Sequence, residues 1–170
     1  MKNKLRKIKL LILDVDGVLT DGKIIIDSDG REMKFFDVQD GFGIVVFRQA
    51  GLKTAILSAR ASNVVRHRAK DLGIDRVYVD AYPKIGAYKK LLSEFQLRDE
   101  DVCFIGDDLP DVEVLSKVGF AVSVPNGTAE AQKEAHYITK KRGGNGAVRE
   151  VIEMILKAQN LWPAKERQQK

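Results

Sequence analysis

Leu10 to Thr20 reads LLILDVDGVLT. Four apolar residues in a row predict a buried strand, and the run ends on two carboxylates, Asp14 and Asp16, one residue apart and followed at once by Gly17. Side chains alternate along an extended chain. For both acids to address one locus, the backbone must therefore leave strand geometry between Val15 and Gly17, which the glycine permits. An isolated Asp-x-Asp is most often a solvated turn, and the later cluster Asp27-Ser28-Asp29-Gly30 reads that way. The strand in front of Asp14, and the partners further along the chain, point to a site instead.

Outward from this stretch, strands and helices alternate. KIIIDSDGREMKFFDV (residues 23–38) places two β-rich runs around the Asp27–Gly30 turn, a predicted hairpin. DGFGIVVFRQA (40–50) predicts a helix closed by Gly51, and KTAILS a strand delivering Ser58 at its end. A helix follows from near Ser62 to Gly73, with Val64, Val65, Arg68, Ala69 and Leu72 on its inner half. RVYVD is a short strand. Pro83 then opens a helix in which Ile85, Tyr88, Leu91, Leu92 and Phe95 recur at helical spacing, with Lys84 in its first turn. DVCFIGDDLPD (101–111) repeats the opening theme of a buried strand and acids on a glycine loop, with a helix from Asp111 toward Val118. GFAVSV and HYIT predict two more strands around a helix capped by Thr128, and RGGNG (142–146) leads into a helix from Ala147 to Asn160. The pattern predicts a single α/β domain over residues 1–170, a parallel sheet with helices on both faces and ligands at the carboxyl ends of the strands.

Composition excludes several classes. The 170 residues carry a formal charge of +5, but Met1–Lys9 holds five cations and no acid. The tail after Trp162 adds two more positive charges, so the body from Leu10 to Trp162 stands at −2. Solvated basic ends, rather than a nucleic-acid face, are expected. The lone Cys103 in VCFI excludes an internal disulfide and reads as a core residue in a reducing cytoplasm. The first apolar run is too short for a signal peptide and is broken by Asp14, and no run approaches a membrane span. His67 and His136 are too isolated for a histidine-based site. A soluble cytoplasmic protein is expected.

Asp14, Asp16, Ser58 and Asp107 all fall at strand ends, and Lys84 at a helix start. Three carboxylates, a hydroxyl and an ammonium in one crevice would suit a divalent cation, Mg²⁺ above all, together with a phosphate. Asp14 has the position of a nucleophile that would form an aspartyl-phosphate, and Asp16 that of the general acid and base. Ser58 and Lys84 would bind the transferring phosphoryl oxygens. Their plainer readings are a turn residue and a solvated lysine. Asp107, directly after Gly106, is the expected metal ligand, and Asp108 and Asp111 have the plainer reading of caps for the next helix.

DVDGVLT, Ser58 after its strand, Lys84 at its helix start and GDDLPD resemble, in order, the four motifs of the haloacid dehalogenase (HAD) superfamily. The resemblance implies a three-layer Rossmann-like sheet, here with a small hairpin insertion over residues 21–38, no cap domain and a flexible tail over 163–170. Within the superfamily, Lys9 to Ile155 resembles the family of 3-deoxy-D-manno-octulosonate 8-phosphate (KDO 8-phosphate) phosphatases of lipopolysaccharide synthesis. DVDGVLTDG, FFDVQDGFGI, SARAS, GDDLPDVEVL and RGGNGAVRE carry that likeness, and the chain departs from it at Gln39 and Val45, where basic residues are usual. The resemblance implies that Asp14, Asp107 and the backbone carbonyl of Asp16 hold Mg²⁺. It also implies that Asp16, Asp37, Val38, Gln39, Asp40, Gly41, Arg60, Arg68 and Lys84 line a site for a sugar-acid phosphate. Other substrates of the class, such as KDN 9-phosphate, and a non-catalytic assembly role are the alternatives. A dehalogenase is disfavoured because a halide leaving group needs no general acid. Ile24, Ile25 and Ile26 in succession force apolar groups onto both faces of the hairpin. With the resemblance, this implies a homotetramer meeting at Lys23 to Phe36, with the Arg142–Gly146 loop and the C-terminal tail as candidates to reach a neighbouring site. A monomer whose hairpin packs on its own sheet is the simpler alternative.

Overall fold

The structure, a computed structural model, describes residues 1–162; the tail expected over 163–170 lies outside the described residues. In chain order the elements are α1 (Lys2–Lys7), β1 (Leu10–Leu13), β2 (Ile25–Ile26), β3 (Glu32–Met33), α2 (Val38–Gln49), β4 (Lys53–Leu57), α3 (Asn63–Leu72) and β5 (Arg76–Tyr78). Then follow α4 (Lys84–Phe95), β6 (Val102–Ile105), α5 (Val112–Leu115), β7 (Phe120–Ser123), α6 (Ala129–Glu134), β8 (Tyr137–Ile138) and α7 (Ala147–Ala158). Six strands form one parallel sheet in the order β5-β4-β1-β6-β7-β8, and β2 and β3 pair as a separate antiparallel hairpin.

β1 is central, with Leu10–Leu13 in register with Lys53–Ile56 on one side and Val102–Ile105 on the other. All four residues are buried because helices cover both faces. Leu11 and Leu13 pack with Ile44, Phe47, Val65 and the α7 residues Val148, Val151, Ile152 and Ile155. Leu10 and Ile12 pack on the other side with Tyr88, Leu91, Val114 and Leu115. At roughly 1.5–3 kcal/mol for each fully buried large apolar side chain, these two layers hold β1 far more firmly than any polar contact does. The chain runs outward from β1 to β4 and β5, then returns to β6 on the opposite side. The resulting switch point puts a crevice at the carboxyl ends of β1, β4 and β6.

The caps fall where the side chains allow them. Asp37 accepts from the backbone N–H groups of Gln39 and Asp40, so α2 begins at Val38, before the expected Asp40. Ser62 caps α3, Gly73 closes it in the left-handed region, and Thr128 caps α6, all as expected. The helix expected from Asp111 to Val118 shrinks to a 3-10 turn over Leu109–Asp111 and the single turn of α5.

The cations of the N-terminus are solvated as expected, but residues 2–7 also form a helix whose Leu5, with Ile8 just after it, is buried against the core. Its packing surface is α7: the Gln159 side chain donates to Leu5 O and Ile8 O at 3.0 and 2.8 Å, and Arg6 to Ala158 O. The cations reach solvent while the two apolar residues go in, an arrangement too short for a helical period to reveal it.

Candidate active site

The backbone leaves β1 as the Asp-x-Asp spacing required. Asp14 N–H still bonds Ile105 O at 3.0 Å, continuing the ladder, and then Val18, Leu19 and Thr20 all donate to Val15 O to close a tight turn. Gly17 sits at φ +91° with its Cα pressed against the Asp107 carboxylate, so a side chain there would be both strained and obstructed. The Thr20 hydroxyl accepts from Gly17 and Gly22 N–H inside the turn.

Within this crevice, Lys84 is the hub. Its buried ammonium donates to Asp14 Oδ1 at 2.7 Å and to Asp111 Oδ1 at 2.5 Å. Burial disfavours its charge, but Asp14 and Asp111 outweigh that and raise its pKa, so it remains an ammonium. Asp111 Oδ2 accepts from the backbone N–H groups of Asp107 and Asp108 at 2.9 and 3.2 Å, which orients the loop carrying Asp107. Asp111 therefore does more than the expected capping, although Asp108 does cap, accepting from Leu109 N–H.

Asp14, Asp107 and Asp111 bring carboxylate oxygens within 4.8 Å of one another. Burial, reinforced by Asp111, pushes the Asp14 pKa up to about 6 despite Lys84. Burial with repulsion from Asp14 and Asp111 pushes Asp107 up to about 8. Asp107 Oδ1 is buried and has no hydrogen-bond donor. Both oxygens of Asp111 are already engaged, by Lys84 and by the loop, so Asp14 and Asp107 are the side chains left to hold a cation. Hard anionic oxygens beside an orphaned buried lone pair fit Mg²⁺.

Ser58 lies at the end of β4 as expected, buried, with its Oγ accepting from Arg60 N–H at 3.4 Å. Asp16 faces the hairpin. Lys34 Nζ bonds its Oδ1, and Arg60 Nη1 lies 3.6 Å from its Oδ2. Glu32 joins the same cluster, 3.1 Å from Lys34, 3.4 Å from Arg60 and accepting from the Ser62 hydroxyl at 2.5 Å. Lys34 and Glu32 were missed in the sequence. Their signal was the alternation Glu32-Met33-Lys34-Phe35, which the three isoleucines overshadowed.

Arg68 and Asp37–Gly41 form a second group at the start of α2. The Arg68 guanidinium is ion-paired with Asp71 at 2.7 Å, stacks over Phe36 at 5.6 Å and fills the space beside the Gly41 Cα. With Leu19, Phe36, Asp37, Asp40 and Leu72 it lines a small cavity, and its buried Nε has no partner. Val38 is exposed, and Gln39 Oε1 accepts from Lys141 Nζ at 3.4 Å. Asp40 borders that cavity too, but its carboxylate is engaged elsewhere. Its side chain is buried and accepts from Gly146 N–H at 3.2 Å and Arg149 N–H at 2.7 Å, so it anchors the N-terminus of α7.

The Arg142–Gly146 loop is committed to its own chain. Gly144 N–H bonds Val18 O at 2.9 Å, and Gly143 packs on the Gly17 carbonyl without room for a Cβ. Asn126 links the two segments, donating to Gly17 O and accepting from Gly143 N–H, both at 2.8 Å. The backbone of this loop is thus fixed beside the catalytic turn of its own chain, with Arg142 and Asn145 turned outward. Neither histidine belongs to the crevice: His67 is exposed, and His136 Nδ1 accepts from Ala121 N–H at the β7–β8 edge.

A central-strand aspartate pair, a lysine bridging to a loop aspartate and a hydroxyl on the neighbouring strand define a haloacid dehalogenase-class hydrolase, and residues 77–152 match that hydrolase family. Over 153 residues, 90% of this chain and 82% of the relative, it is 42% identical to the 3-deoxy-D-manno-octulosonate 8-phosphate phosphatase of Yersinia pestis. The Escherichia coli K12 phosphatase of the same name is 41% identical over 92% of this chain and 83% of its own. The crystal structure of the Moraxella catarrhalis phosphatase in complex with magnesium ion, phosphate ion and KDO superposes with a TM-score of 0.93 at 45% identity, covering 95% of this chain and 92% of that one. The chain belongs to the KDO 8-phosphate phosphatase family. As in the expectation from sequence, no cap domain is present among the described residues, and none of their helices is long and apolar enough to cross a membrane.

Proposed function

We propose that this chain hydrolyses KDO 8-phosphate to KDO and phosphate, with Mg²⁺, through an aspartyl-phosphate on Asp14. The observation that carries the mechanism is the buried Asp14–Lys84–Asp111 chain beside the unpartnered Asp107 Oδ1. Asp14, Asp107 and the Asp16 carbonyl would hold Mg²⁺, whose charge offsets the repulsion between the carboxylates and polarises the phosphoryl group. In the first step an Asp14 carboxylate oxygen bonds to phosphorus as the ester P–O bond breaks, and Asp16 gives its proton to the departing sugar alkoxide. In the second, Asp16 takes a proton from water, whose oxygen bonds to phosphorus. The acyl-phosphate P–O bond breaks, which restores Asp14 and releases phosphate. Lys84 orients Asp14 and, with the Ser58 hydroxyl, binds phosphoryl oxygens as charge moves onto them.

Recognition of the sugar acid falls, on this reading, to Arg60 beside Asp16, to Arg68 with its free Nε, and to Asp37–Gly41. A guanidinium fork suits a carboxylate. Lys141, bonded to Gln39, adds a cation on that side. We read the protein as a cytoplasmic homotetramer, a state supported by the exposed Ile24, Ile26, Met33 and Phe35 of the hairpin.

A phosphate-release screen over sugar-acid phosphates, with and without Mg²⁺, tests the assignment. Preferential turnover of KDO 8-phosphate, abolished by chelation and restored by Mg²⁺, is expected. Preference for KDN 9-phosphate would move the substrate assignment and leave the chemistry. Near-normal turnover by Asp14→Asn, with deamidation excluded, would remove the mechanism.

A further inference from the structure

The hairpin is inverted relative to an ordinary amphipathic one. Along its second arm Glu32 and Lys34 turn inward, while Met33 and Phe35 are 50% and 79% exposed. The Lys34 side chain is only 1% exposed, against Asp16 and Glu32 at 22% and 19%. Removing an ammonium from water costs several kcal/mol, which close carboxylates must offset. Anchoring alone would be achieved more cheaply by the apolar residues that this arm points away from the body. The buried charge has a specific object instead, one oxygen of the residue assigned as acid and base.

We propose that Lys34 is a positioning residue for the phosphatase reaction. From the hairpin of its own chain it fixes the Asp16 carboxylate through Oδ1, leaving Oδ2, on the Arg60 side, as the atom that exchanges protons with the leaving alkoxide and with water. Glu32 holds both cations in place, at 3.1 Å from Lys34 and 3.4 Å from Arg60, and is itself fixed by the cap hydroxyl of α3, Ser62. The hairpin thus acts on the acid/base side of the crevice in cis. The inference rests on the role assigned to Asp16, and the experiment includes Asp16→Asn to separate the two.

Steady-state kinetics with KDO 8-phosphate at saturating Mg²⁺ would compare the wild type with Lys34→Met, Lys34→Arg, Asp16→Asn and the Lys34→Met/Asp16→Asn pair, each checked for mass and melting. Lys34→Met should lower kcat about 100-fold, the scale of a misplaced reacting group, with KM within about threefold. Lys34→Arg, which keeps a donor on Oδ1, should recover about tenfold of that loss. The double variant should be no slower than Asp16→Asn, because the two act as one unit. A Lys34→Met kcat within about twofold of wild type, or a loss carried by KM alone, would overturn the proposal while leaving the mechanism. Near-normal turnover by Asp16→Asn would overturn the acid/base assignment itself. Should Lys34→Met fail to fold, Glu32→Gln decides: a kcat loss of about tenfold at unchanged KM supports the positioning role, and unchanged kcat refutes it.

Discussion

Asp14 and Asp107 share one crevice but differ in what occupies their oxygens, and that difference sets how the apoenzyme responds to pH. With pKa values pushed up to about 6 and about 8, both bind protons more readily in the fold than in free peptide. A divalent ion needs their ionised forms, so protons compete with it, and its apparent affinity should weaken as pH falls through about 8 and again through about 6. Calorimetric Mg²⁺ titration of the apoenzyme at pH 7 in two buffers of different ionisation enthalpy should detect close to one proton released per ion; zero release would contradict the shared-charge description. Asp111 supplies a second test. In Asp111→Asn an amide NH₂ must face either Lys84 or the N–H groups of Asp107 and Asp108, so one donor loses its acceptor. We expect kcat to fall at least about tenfold and stability by about 1–3 kcal/mol, read from turnover and urea unfolding. The acids at strand ends were legible in the sequence because burial and charge conflict openly there. Asp111 was not, because an aspartate at the start of a helix already has a sufficient explanation as a cap, and only the fold reveals that Lys84 shares its other oxygen.

At the scale of elements, the alternation of apolar strands with periodic helices was enough to recover the sheet, its six parallel strands and the caps at Ser62, Gly73 and Thr128. Contacts between segments far apart in the chain were not readable, and two of them support the catalytic turn. Asn126 clamps Gly17 to Gly143 by two 2.8 Å bonds, joining positions more than 100 residues apart. Asn126→Ala should leave the strand carrying Asp14 intact while freeing the turn after it; a kcat loss of about tenfold with a smaller change in melting temperature would show this, and unchanged kcat would limit the clamp to a passive role. Asp40 makes the second contact, binding the start of α7. With its sequence neighbours Asp37 and Gly41 it also borders the small cavity, where the family resemblance placed it. Burial, opposed by the Arg149 N–H bond, pushes its pKa up to about 6. A raised carboxylate is more protonated in the fold, so its contribution to stability falls as pH rises from about 4 and levels off above about 6. Denaturant titrations of wild type and Asp40→Asn should therefore diverge across that window, wild type losing ground as pH rises; parallel curves would refute the shift. Asp40→Ala, leaving two buried N–H groups unpaired, should cost about 2 kcal/mol.

For the whole molecule, the distribution of apolar surface bears on the state of assembly. The hairpin exposes Ile24 and Ile26 at 52% and 60%, and Met33 and Phe35 beside them, while Val38 and Phe42 of α2 add 80% and 60%. Ile25 is only half-buried within its own chain, so the three isoleucines divide between the two faces as their succession in sequence required. Turning Glu32 and Lys34 inward leaves no core for this outer face to join, and apolar side chains gathered on one projecting arm favour association. Four chains of 19.0 kDa each are expected by light scattering at micromolar concentration. Met33→Asp and Phe35→Asp are the informative changes, because each charges the exposed face of the second arm without touching the Lys34–Asp16 pair, whereas Ile26 pairs with Glu32 and shares its face. Ile25→Asp would confound the result by disturbing the hairpin itself. Both outer variants should dissociate the assembly with little change in far-ultraviolet circular dichroism. Arg60, Ser62 and the inward carboxylates belong to the same chain as the hairpin, so turnover of a small aryl phosphate should survive dissociation. A wild-type monomer with full activity on the sugar-acid phosphate would rule out the tetramer and leave the hairpin a lid of its own chain alone.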